Sequence, residues 1–322
     1  MRLILGTNSY QGRPLDIVKS ELPSDFAFQC LEEQTMHCFL DAVQNADYIL
    51  AGGRMRITEG VLERAKKLKM IQRSGVGLDS LDLDAIKKRE IPLYVNQGIN
   101  AQSTAEQTLL LILACLRRLP SINENTKNGV WRKQEQGLQT YELNGKTVGV
   151  IGMGHIARIL VSLLKPFHVN ILYYSRTRAE QTFEEENNMT FVSLNELLSS
   201  SDVVTLHCAL TEQTRGMIGS SALDRMKKGG ILVNTARGGL VDTVALRDAL
   251  QDGRLSYAAL DVHEYEPIPD DYALKNLDNI ILTPHIAGVT FDSFRAMMHS
   301  AFHNIECFEN GRIEEIAPYR VL

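Results

Sequence analysis

The chain has 322 residues, of which 44% are hydrophobic and 23% are charged. These fractions are typical of soluble globular proteins, and the length fits two α/β domains better than one. The net charge of −5 offers no basic surface of the kind that nucleic-acid-binding proteins need. The longest apolar run, residues 109–116, is too short to cross a bilayer. We therefore expect a small-molecule substrate, with neither a nucleic acid nor a membrane as partner.

The cysteines are scattered along the chain and odd in number, a pattern that fits neither a disulfide framework nor a zinc site. The sequence thus predicts reduced thiols, a cytoplasmic location and no metal site. Residues 1–6 form a short apolar run that predicts a first strand rather than a signal peptide. The five cysteines are Cys30, Cys38, Cys115, Cys208 and Cys307.

Apolar strand-like runs alternate with helical patterns along the whole chain. This alternation predicts parallel sheets with helices on both faces. In the first part, helices are predicted at residues 60–67 and 82–88. The predicted strands of this part are residues 3–5, 48–51, 70–73 and 93–95.

A long apolar helix is predicted between the two parts of the chain. Ser103 is followed three residues later by Glu106, which is the sequence of a capping box at a helix start. Residues 109–116 are almost continuously apolar, so we expect this helix to be buried on every side. Arg117 and Pro120 predict its end.

The second part shows six strand-like runs with helices between them, as in a complete dinucleotide-binding domain. The residues after His285 are too few for a further domain and are expected to complete the first one. The predicted domains are therefore residues 1–100 plus 289–322, and residues 101–288. The six predicted strands are residues 147–151, 169–174, 202–207, 231–235, 257–262 and 279–283.

A glycine-rich turn follows the first strand of the second part and opens a helix. Gly152 would permit the tight turn, and Gly154 would let the backbone approach a pyrophosphate. Ala157 is small enough for close packing between the helix and the strand. Free amides and the helix dipole favour phosphate at such a helix start. The turn therefore predicts a bound dinucleotide.

The residues after the next strand bear on which dinucleotide is bound. An acid at this place would bind the ribose 2′-hydroxyl of NAD, but the chain has Ser175, followed by Arg176 and Arg178. Hydroxyl and guanidinium groups suit a 2′-phosphate, so the sequence favours NADP over NAD. The alternative is that both arginines are solvated surface charges.

Three later segments carry side chains suited to acid–base chemistry and anion binding. Each follows a predicted strand, and the carboxyl ends of parallel strands lie at one edge of a sheet, where open α/β sheets bind ligands. We therefore expect Arg237, Glu266 and His285 to meet there. The three segments are residues 234–238, 260–267 and 283–288.

With these motifs the sequence resembles the D-isomer-specific 2-hydroxyacid dehydrogenase family over essentially its whole length. Residues 73–79 and 100–106 contribute to the resemblance together with the glycine turn and the three later segments. The resemblance implies a Rossmann cofactor domain inserted in a flavodoxin-like substrate domain. It also implies an oxidoreductase that transfers hydride between NAD(P)H and a small 2-oxo acid, giving the D-2-hydroxy acid. Substrates of the glyoxylate/hydroxypyruvate type and of the phosphoglycerate type both fit, with glyoxylate or hydroxypyruvate preferred.

The resemblance also implies roles for single residues. Arg237 would bind the substrate carboxylate and polarise the C2 carbonyl, because a guanidinium group matches a carboxylate bidentately. His285 would exchange a proton with the C2 oxygen, and Glu266 would hydrogen-bond its other ring nitrogen and fix its tautomer. The implied substrate contacts are Val76, Gly77, Asn100, Arg237 and His285.

For the cofactor, the resemblance implies contacts in three regions of the second domain. One group of residues would hold the phosphates, a second the adenosine ribose and a third the nicotinamide, with Asp261 at its carboxamide. The implied contacts are Thr104, Gly152, Gly154, His155, Ile156, Ser175, Arg176, Thr177, His207, Thr235, Ala236, Arg237, Asp261, His285 and Gly288.

The resemblance further implies a homodimer formed through the cofactor domain, with residues 121–141 as the dimer arm. The alternative for Trp131 in this arm is that it packs in its own core. Because the chain ends at Leu322, we expect no C-terminal amino-acid-sensing domain of the kind that some phosphoglycerate dehydrogenases carry.

Two other functions compete with the reductase. One is an NAD(H)-sensing protein like the corepressors related to this family, which keep the same Arg, Glu and His. The other is a formate-dehydrogenase-like enzyme, but such enzymes have Gln at the position of Glu266. The glutamate therefore argues against formate as substrate.

Overall fold

The computed structural model describes all 322 residues. The chain divides into two compact units, each built on one parallel sheet. The terminal unit combines Met1–Asn100 with Thr290–Leu322, and the central unit comprises Ala101–Val289. Two parallel α/β units confirm the predicted fold class.

The terminal unit has a five-stranded parallel sheet in the order β2-β1-β3-β4-β5, which is the flavodoxin-like order. Strand β2 and helices α1 and α2 were not predicted from the sequence. Only Phe26 of β2 is buried, because β2 lies at the sheet edge, so its apolar pattern is weak. The strands are β1 (Arg2–Gly6), β2 (Phe26–Cys30), β3 (Tyr48–Ala51), β4 (Met70–Arg73) and β5 (Leu93–Tyr94). The helices between them are α1 (Arg13–Glu21), α2 (Met36–Ala42), α3 (Glu59–Arg64) and α4 (Leu83–Lys88).

The central unit begins with three helices, α5 (Ala101–Leu116), α6 (Leu119–Lys127) and α7 (Lys133–Gly137). Helix α5 ends as predicted, but its predicted start was wrong. Ser103 lies inside the helix, buried, and its hydroxyl donates 2.8 Å to the carbonyl of Ala287 instead of capping the helix. Burial on every side was also wrong, because Leu110 is 53% exposed.

The central sheet has seven parallel strands in the order β12-β11-β10-β9-β6-β7-β8. This is the Rossmann order extended by one strand. The sequence analysis found six of the seven and missed β8, a three-residue edge strand. The strands are β6 (Thr147–Ile151), β7 (Asn170–Tyr174), β8 (Met189–Phe191), β9 (Val203–Leu206), β10 (Gly230–Asn234), β11 (Leu255–Leu260) and β12 (Ile280–Leu282). The remaining helices of the unit are α8 (His155–Leu164), α9 (Gln181–Glu186), α10 (Leu194–Ser200), α11 (Ser220–Arg225) and α12 (Thr243–Gln251).

The middle of this sheet forms the core of the central unit. Every residue of β9 and β10 is buried, as expected for strands covered by helices on both faces. The interiors of these strands are mostly apolar, and their buried polar side chains are Thr205 and Asn234. The buried Asn234, at the last position of β10, marks the carboxyl edge of the sheet.

The last part of the chain returns to the terminal unit as α13 (Phe291–Glu309) and α14 (Ile313–Ile316). Helix α13 begins with a capping box, in which Thr290 and Ser293 each accept from the other's backbone amide. Its buried face includes Phe302 and Ile305. None of the helices combines the length and apolar character that a membrane crossing requires.

Candidate active site

His285 and Glu266 form a hydrogen-bonded pair in the central unit. The Nδ1 of His285 lies 2.7 Å from Oε2 of Glu266. The imidazole is half exposed, whereas the Glu266 side chain is 28% exposed. Because Nδ1 is engaged, Nε2 is the ring nitrogen left to meet a ligand. The pair is the arrangement of an acid–base histidine oriented by a carboxylate.

The electrostatics of Glu266 favour its ionised form. Burial of the carboxyl disfavours its charge, but hydrogen bonds from His285 and from the backbone amide of His263 outweigh that cost. The pKa of Glu266 is therefore held below its ordinary value. An ionised carboxylate at Nδ1 keeps that nitrogen protonated as the donor.

The loop that carries His285 is held by the buried carboxylate of Asp261. Its Oδ1 accepts from the Thr283 hydroxyl at 2.5 Å and from the Ile286 amide at 3.0 Å, and its Oδ2 accepts from the Ala287 amide at 2.8 Å. The Asp261 carbonyl also accepts from the His285 amide at 2.7 Å. These bonds fix the backbone of His285, which has a φ of +57°, in the left-handed region.

The loop that carries Glu266 is anchored by His263. This residue is buried, and its Nε2 lies 2.9 Å from the carbonyl of Thr283. Its backbone amide donates to Oε1 of Glu266 at 3.0 Å, so the carboxylate is held at both oxygens. His263 therefore ties the loop after β11 to the loop after β12.

Arg237 lies in a turn that Asn234 organises. The Asn234 side chain donates to the Arg237 carbonyl at 2.8 Å and accepts from the Ala236 amide at 3.0 Å. The next residue, Gly238, lies against the His263 backbone so closely that a Cβ would come within 2.0 Å of the His263 carbonyl carbon. The turn that carries Arg237 and the loop that carries Glu266 therefore pack directly on each other.

The glycine turn after β6 has the geometry of a phosphate-binding turn. Gly152 has a φ of +96°, and a Cβ there would meet the backbone of His207 and Cys208 at 2.7 Å. Gly154 is the N-cap of α8 and has open space where a Cβ would be. With no capping side chain, the first amides of α8 point beyond the helix end. The turn thus fits a dinucleotide pyrophosphate.

The predicted adenosine-ribose residues follow β7. Ser175 is half-buried and donates to the Thr177 carbonyl, while Arg176 is exposed. Arg178 was expected to suit a 2′-phosphate, but in this structure its guanidinium is paired with an acid of the same unit. Its guanidinium forms two 2.8 Å bonds to Glu184, a buried acid that also accepts from the Tyr173 hydroxyl.

Two further predicted cofactor residues lie close to the sheet edge. The ring of His207 is 2.9 Å from the Thr205 hydroxyl, and burial lowers its pKa to about 4. Thr235 is buried and shares a 2.8 Å hydrogen bond with Thr108 of α5. Thr104 precedes Thr108 by one turn and accepts through its carbonyl from the Thr108 hydroxyl. These bonds set the position of the threonines relative to β10.

In the terminal unit, the turn with the predicted substrate contacts Val76 and Gly77 follows β4 and is stabilised by hydrogen bonds from Arg73. This arginine is buried, and its guanidinium donates to the carbonyls of Gly77, Ala51 and Gly52. The Val76 and Gly77 amides donate no hydrogen bond within the chain, and Val76 is exposed. The turn therefore presents two backbone amides that can donate hydrogen bonds to an anion.

Asn96 supports the same turn from the other side. Its side chain donates to the Ser74 carbonyl at 3.0 Å and to the Met297 carbonyl at 2.9 Å, and its backbone amide donates to Gly75. Asn96 is buried, like Asn234 in the central unit. The sequence analysis assigned no role to Asn96, Asn234 or His263. Their signal was a polar residue at or just after an apolar strand.

Comparisons with known proteins agree with this geometry. A family model described as "D-isomer specific 2-hydroxyacid dehydrogenase, NAD binding domain" matches residues 109–287. A D-3-phosphoglycerate dehydrogenase from Archaeoglobus fulgidus is 40% identical over 77% of this chain and 46% of the relative. A glyoxylate reductase from Thermococcus litoralis is 37% identical over 85% of this chain and 84% of the relative. The chain belongs to the D-isomer-specific 2-hydroxyacid dehydrogenase family.

A solved structure extends the similarity to the whole fold. The D-lactate dehydrogenase from Aquifex aeolicus, complexed with NAD and lactic acid, superposes with a TM-score of 0.87 at 29% identity, covering 99% of both chains. The present chain spans about half the length of the two curated phosphoglycerate dehydrogenases, 46% and 52%. The predicted family is confirmed, and the matching family model is that of an NAD-binding domain.

Proposed function

We propose that this protein reduces a small 2-oxo acid to the D-2-hydroxy acid with NAD(P)H. The observation that carries the proposal is the 2.7 Å contact between His285 and Glu266 at the carboxyl end of the central sheet. A half-exposed imidazole oriented by an ionised carboxylate is suited to exchange a proton with a substrate oxygen. We assign the catalytic roles to Arg237, Glu266 and His285.

The proton is handled by His285. Its Nε2 donates the proton to the C2 oxygen of the 2-oxo acid and takes it back in the oxidative direction. Glu266 binds Nδ1 and so orients the ring with Nε2 free for the substrate. Asp261 keeps the loop in place by binding its amides. NAD(P)H, when bound, supplies the hydride that reduces C2.

The substrate carboxylate is bound by cationic and amide groups. Arg237 is half-buried, and its Nη1 donates to the Ala236 carbonyl at 2.7 Å, which orients the guanidinium. Such a fork binds a carboxylate bidentately and polarises an adjacent carbonyl. In the terminal unit, the amides of Val76 and Gly77, with Asn100, are the proposed further contacts.

The residues of the central unit fit a dinucleotide. The amides at Gly154, His155 and Ile156 face the open end of α8, where phosphate oxygens are favoured. Asp261 uses its carboxylate for the 283–287 loop, so its proposed contact with the carboxamide would be an additional one. The other proposed contacts are Thr104, Gly152, Ser175, Arg176, Thr177, His207, Thr235, Ala236, Arg237, His285 and Gly288.

We propose NADP rather than NAD as the preferred cofactor. The support is the absence of an acid after β7 and the presence of the exposed Arg176 beside Ser175. Arg178 gives weaker support to this choice, because its guanidinium is hydrogen-bonded to Glu184. The proposed preference for NADP therefore depends mainly on Arg176.

For the substrate we propose glyoxylate or hydroxypyruvate. A relative named glyoxylate reductase matches over 84% of its own length, whereas a relative named D-3-phosphoglycerate dehydrogenase matches over 46%. A phosphorylated 2-oxo acid is the second candidate, because the latter relative has the higher identity. An NAD(H)-sensing protein without turnover is the candidate from a different class.

The test is the oxidation of NADPH and of NADH with a panel of glyoxylate, hydroxypyruvate, pyruvate, 2-oxoglutarate and phosphohydroxypyruvate. We expect turnover with glyoxylate or hydroxypyruvate, and losses of roughly 10²–10⁴-fold in kcat for His285→Ala. Glu266→Gln should lower kcat and alter the pH profile while leaving cofactor binding intact. Tight cofactor binding without turnover of any panel member would instead support the sensing protein.

We also propose a homodimer formed through the central unit. Several apolar side chains at its start are exposed rather than packed, so the alternative that Trp131 belongs to its own core was wrong. Trp131 is 82% exposed. The other exposed apolar side chains of this region are Leu110, Leu119, Leu138 and Tyr141.

A cytoplasmic location is the proposal that the thiols support. All five cysteines are free, and Cys115 and Cys307 are buried. Free thiols persist in reducing compartments. Localisation of a tagged chain in the source cell, with thiol labelling before and after lysis, tests the proposal; labelled thiols outside the cytoplasm would contradict it.

A further inference from the structure

Three side chains at the end of the terminal unit bring together the ligand atoms of a metal site. His303 and Cys307 are four residues apart on α13, so they lie on one helix face. Glu315 reaches them from α14. The Cys307 Sγ is 3.4 Å from the His303 Nε2 and 3.7 Å from Oε2 of Glu315. The His303 Nε2 and the Glu315 Oε2 are 4.0 Å apart.

These separations match one face of a tetrahedral coordination sphere. Zinc bonds of about 2.0–2.3 Å to nitrogen, oxygen and sulfur place the ligand atoms of a tetrahedron about 3.4–3.6 Å apart. The two separations that include sulfur, 3.4 and 3.7 Å, are within a few tenths of an ångström of that range, whereas the nitrogen–oxygen separation of 4.0 Å exceeds it by about half an ångström. A shift of the exposed Glu315 carboxylate is enough to close the largest gap.

The surroundings leave a fourth position open. Cys307 is fully buried, whereas the side chains of His303 and Glu315 are 46% and 50% exposed. The thiol therefore forms the base of the cluster, and the other two ligands open to solvent. Arg312 binds the Glu315 carboxylate at 3.1 Å and Glu306 at 3.7 Å, so the local charge includes two acids and one cation. An arginine bonded to a ligating carboxylate orients it.

We propose that His303, Cys307 and Glu315 bind one Zn²⁺ ion, with water as the fourth ligand. A set of sulfur, imidazole nitrogen and carboxylate oxygen favours zinc over magnesium or calcium, which take oxygen ligands. The Zn–S bond forms as the Cys307 thiol releases its proton to solvent. The ion joins α13 to α14, which are otherwise connected by a short turn, and so stabilises the end of the chain.

The three proposed ligands belong to the terminal unit, whereas Arg237, Glu266 and His285 belong to the central unit. A metal site was not expected from the sequence, because the spacing of the cysteines alone fits none. The overlooked signal was His303 four residues before Cys307, a spacing that places two ligands on one side of a helix.

The experiment measures zinc in the full chain after dialysis against a chelator and then against Zn²⁺. We expect the wild type to retain one zinc per chain more than His303→Gln or Glu315→Gln, two variants at exposed positions. Zinc should raise the Tm of the wild type but not of these variants, because only the folded state holds the three ligands together. With Co²⁺ in place of Zn²⁺, thiolate-to-metal absorption should appear in the wild type and vanish in Cys307→Ala.

The matched controls are His299→Gln and Cys38→Ser. His299 lies one turn earlier on α13 and pairs with Glu21 at 3.0 Å, and Cys38 is a partly exposed thiol on α2. Both controls should keep the additional zinc. No zinc retained by the wild type, or equal zinc in the wild type, His303→Gln and Glu315→Gln, overturns the proposal.

Discussion

At the residue scale, single polar side chains at the strand ends decide how the chemical groups are held. Asp261, Asn234 and His263 are buried, and the side chain of each binds backbone groups of a loop that carries a proposed catalytic residue. A buried polar group without such partners would be costly, so these bonds also fix the loops in one conformation. The proposed catalytic side chains themselves remain more exposed.

The difference between two neighbouring arginines provides a test of cofactor choice. We expect Arg176→Ala to lower kcat/KM for NADPH roughly 10- to 100-fold, the value of a charge-assisted hydrogen bond to phosphate, and to leave NADH nearly unchanged. Arg178→Ala should preserve the cofactor preference but lower the Tm, because it leaves Glu184 buried without its cation. Steady-state kinetics with both cofactors and thermal melts measure the two effects. Equal losses with NADPH and NADH in Arg176→Ala would contradict a 2′-phosphate contact.

The low pKa of His207 predicts a pH dependence of stability. Its pKa of about 4 in the folded chain lies below the ordinary 6.5, so the unfolded chain takes up a proton first as the pH falls. The contribution of His207 is therefore complete above pH 6.5 and is lost between pH 6.5 and 4, by about 1.4 kcal/mol per pH unit. We expect the free energy of unfolding to fall less between pH 6.5 and 5 in His207→Gln than in the wild type.

Urea unfolding at the two pH values measures this difference. His37→Gln is the matched control, because the His37 side chain is 87% exposed. The control should follow the wild type. An identical loss of stability in the wild type and in His207→Gln would show that burial of this ring is not linked to protonation.

At the element scale, the two glycines of the turn between β6 and α8 have different roles: Gly154 leaves room for the phosphates, and Gly152 permits the backbone conformation of the turn. Gly154 has ordinary φ and open space at its Cβ, so Gly154→Ala should fold with an unchanged Tm. The added methyl group would occupy the approach to the phosphates, and we expect NAD(P)H to bind roughly tenfold more weakly or worse, a loss of about 1.4 kcal/mol. Gly152→Ala should instead unfold more easily, because of its φ of +96° and the 2.7 Å contacts with the backbone after β9.

Fluorescence titration with NADPH and thermal melts distinguish the two variants. A wild-type Kd in Gly154→Ala would remove the turn from the cofactor site. A wild-type Tm in Gly152→Ala would show that the turn relaxes without cost. The two glycines are two residues apart, so each variant serves as the control for the other.

The parts of the fold that were predicted correctly are those where the end of a strand or helix has a local sequence signal. The turn between β6 and α8 and the strand ends after β10, β11 and β12 carry local signals, namely glycine spacing and polar residues after apolar runs. The start of α5 was mispredicted because Ser103, a good cap by type, instead bonds the Ala287 carbonyl 184 residues later. The edge strands β2 and β8 were missed because strands at a sheet edge bury fewer side chains.

At the scale of the whole molecule, exposed apolar surface near the start of the central unit predicts self-association. We expect the wild type to have twice the mass of one chain in solution, and Trp131→Lys combined with Leu138→Lys to shift it toward the monomer. Trp131 and Leu138 are 82% and 85% exposed, so the substitutions should not disturb the core. Val244→Lys, at an apolar side chain of α12 that is 53% exposed, is the control.

Sedimentation equilibrium or light scattering during gel filtration measures the mass. A monomeric wild type would contradict the proposed dimer. A dimer that persists in the double variant would place the interface elsewhere on the chain. The control variant should remain a dimer at the same protein concentration.

The sequence by itself determined the alternation of strands and helices, the glycine turn and the three segments with Arg237, Glu266 and His285. These signals are local, because the periodicity of side chains and the conformational needs of glycine are written in neighbouring residues. The tertiary structure alone showed that Glu184 engages Arg178 and that Gly238 lies against His263. Such contacts join separate stretches of chain, so their energies depend on packing and burial that spacing along a sequence does not contain.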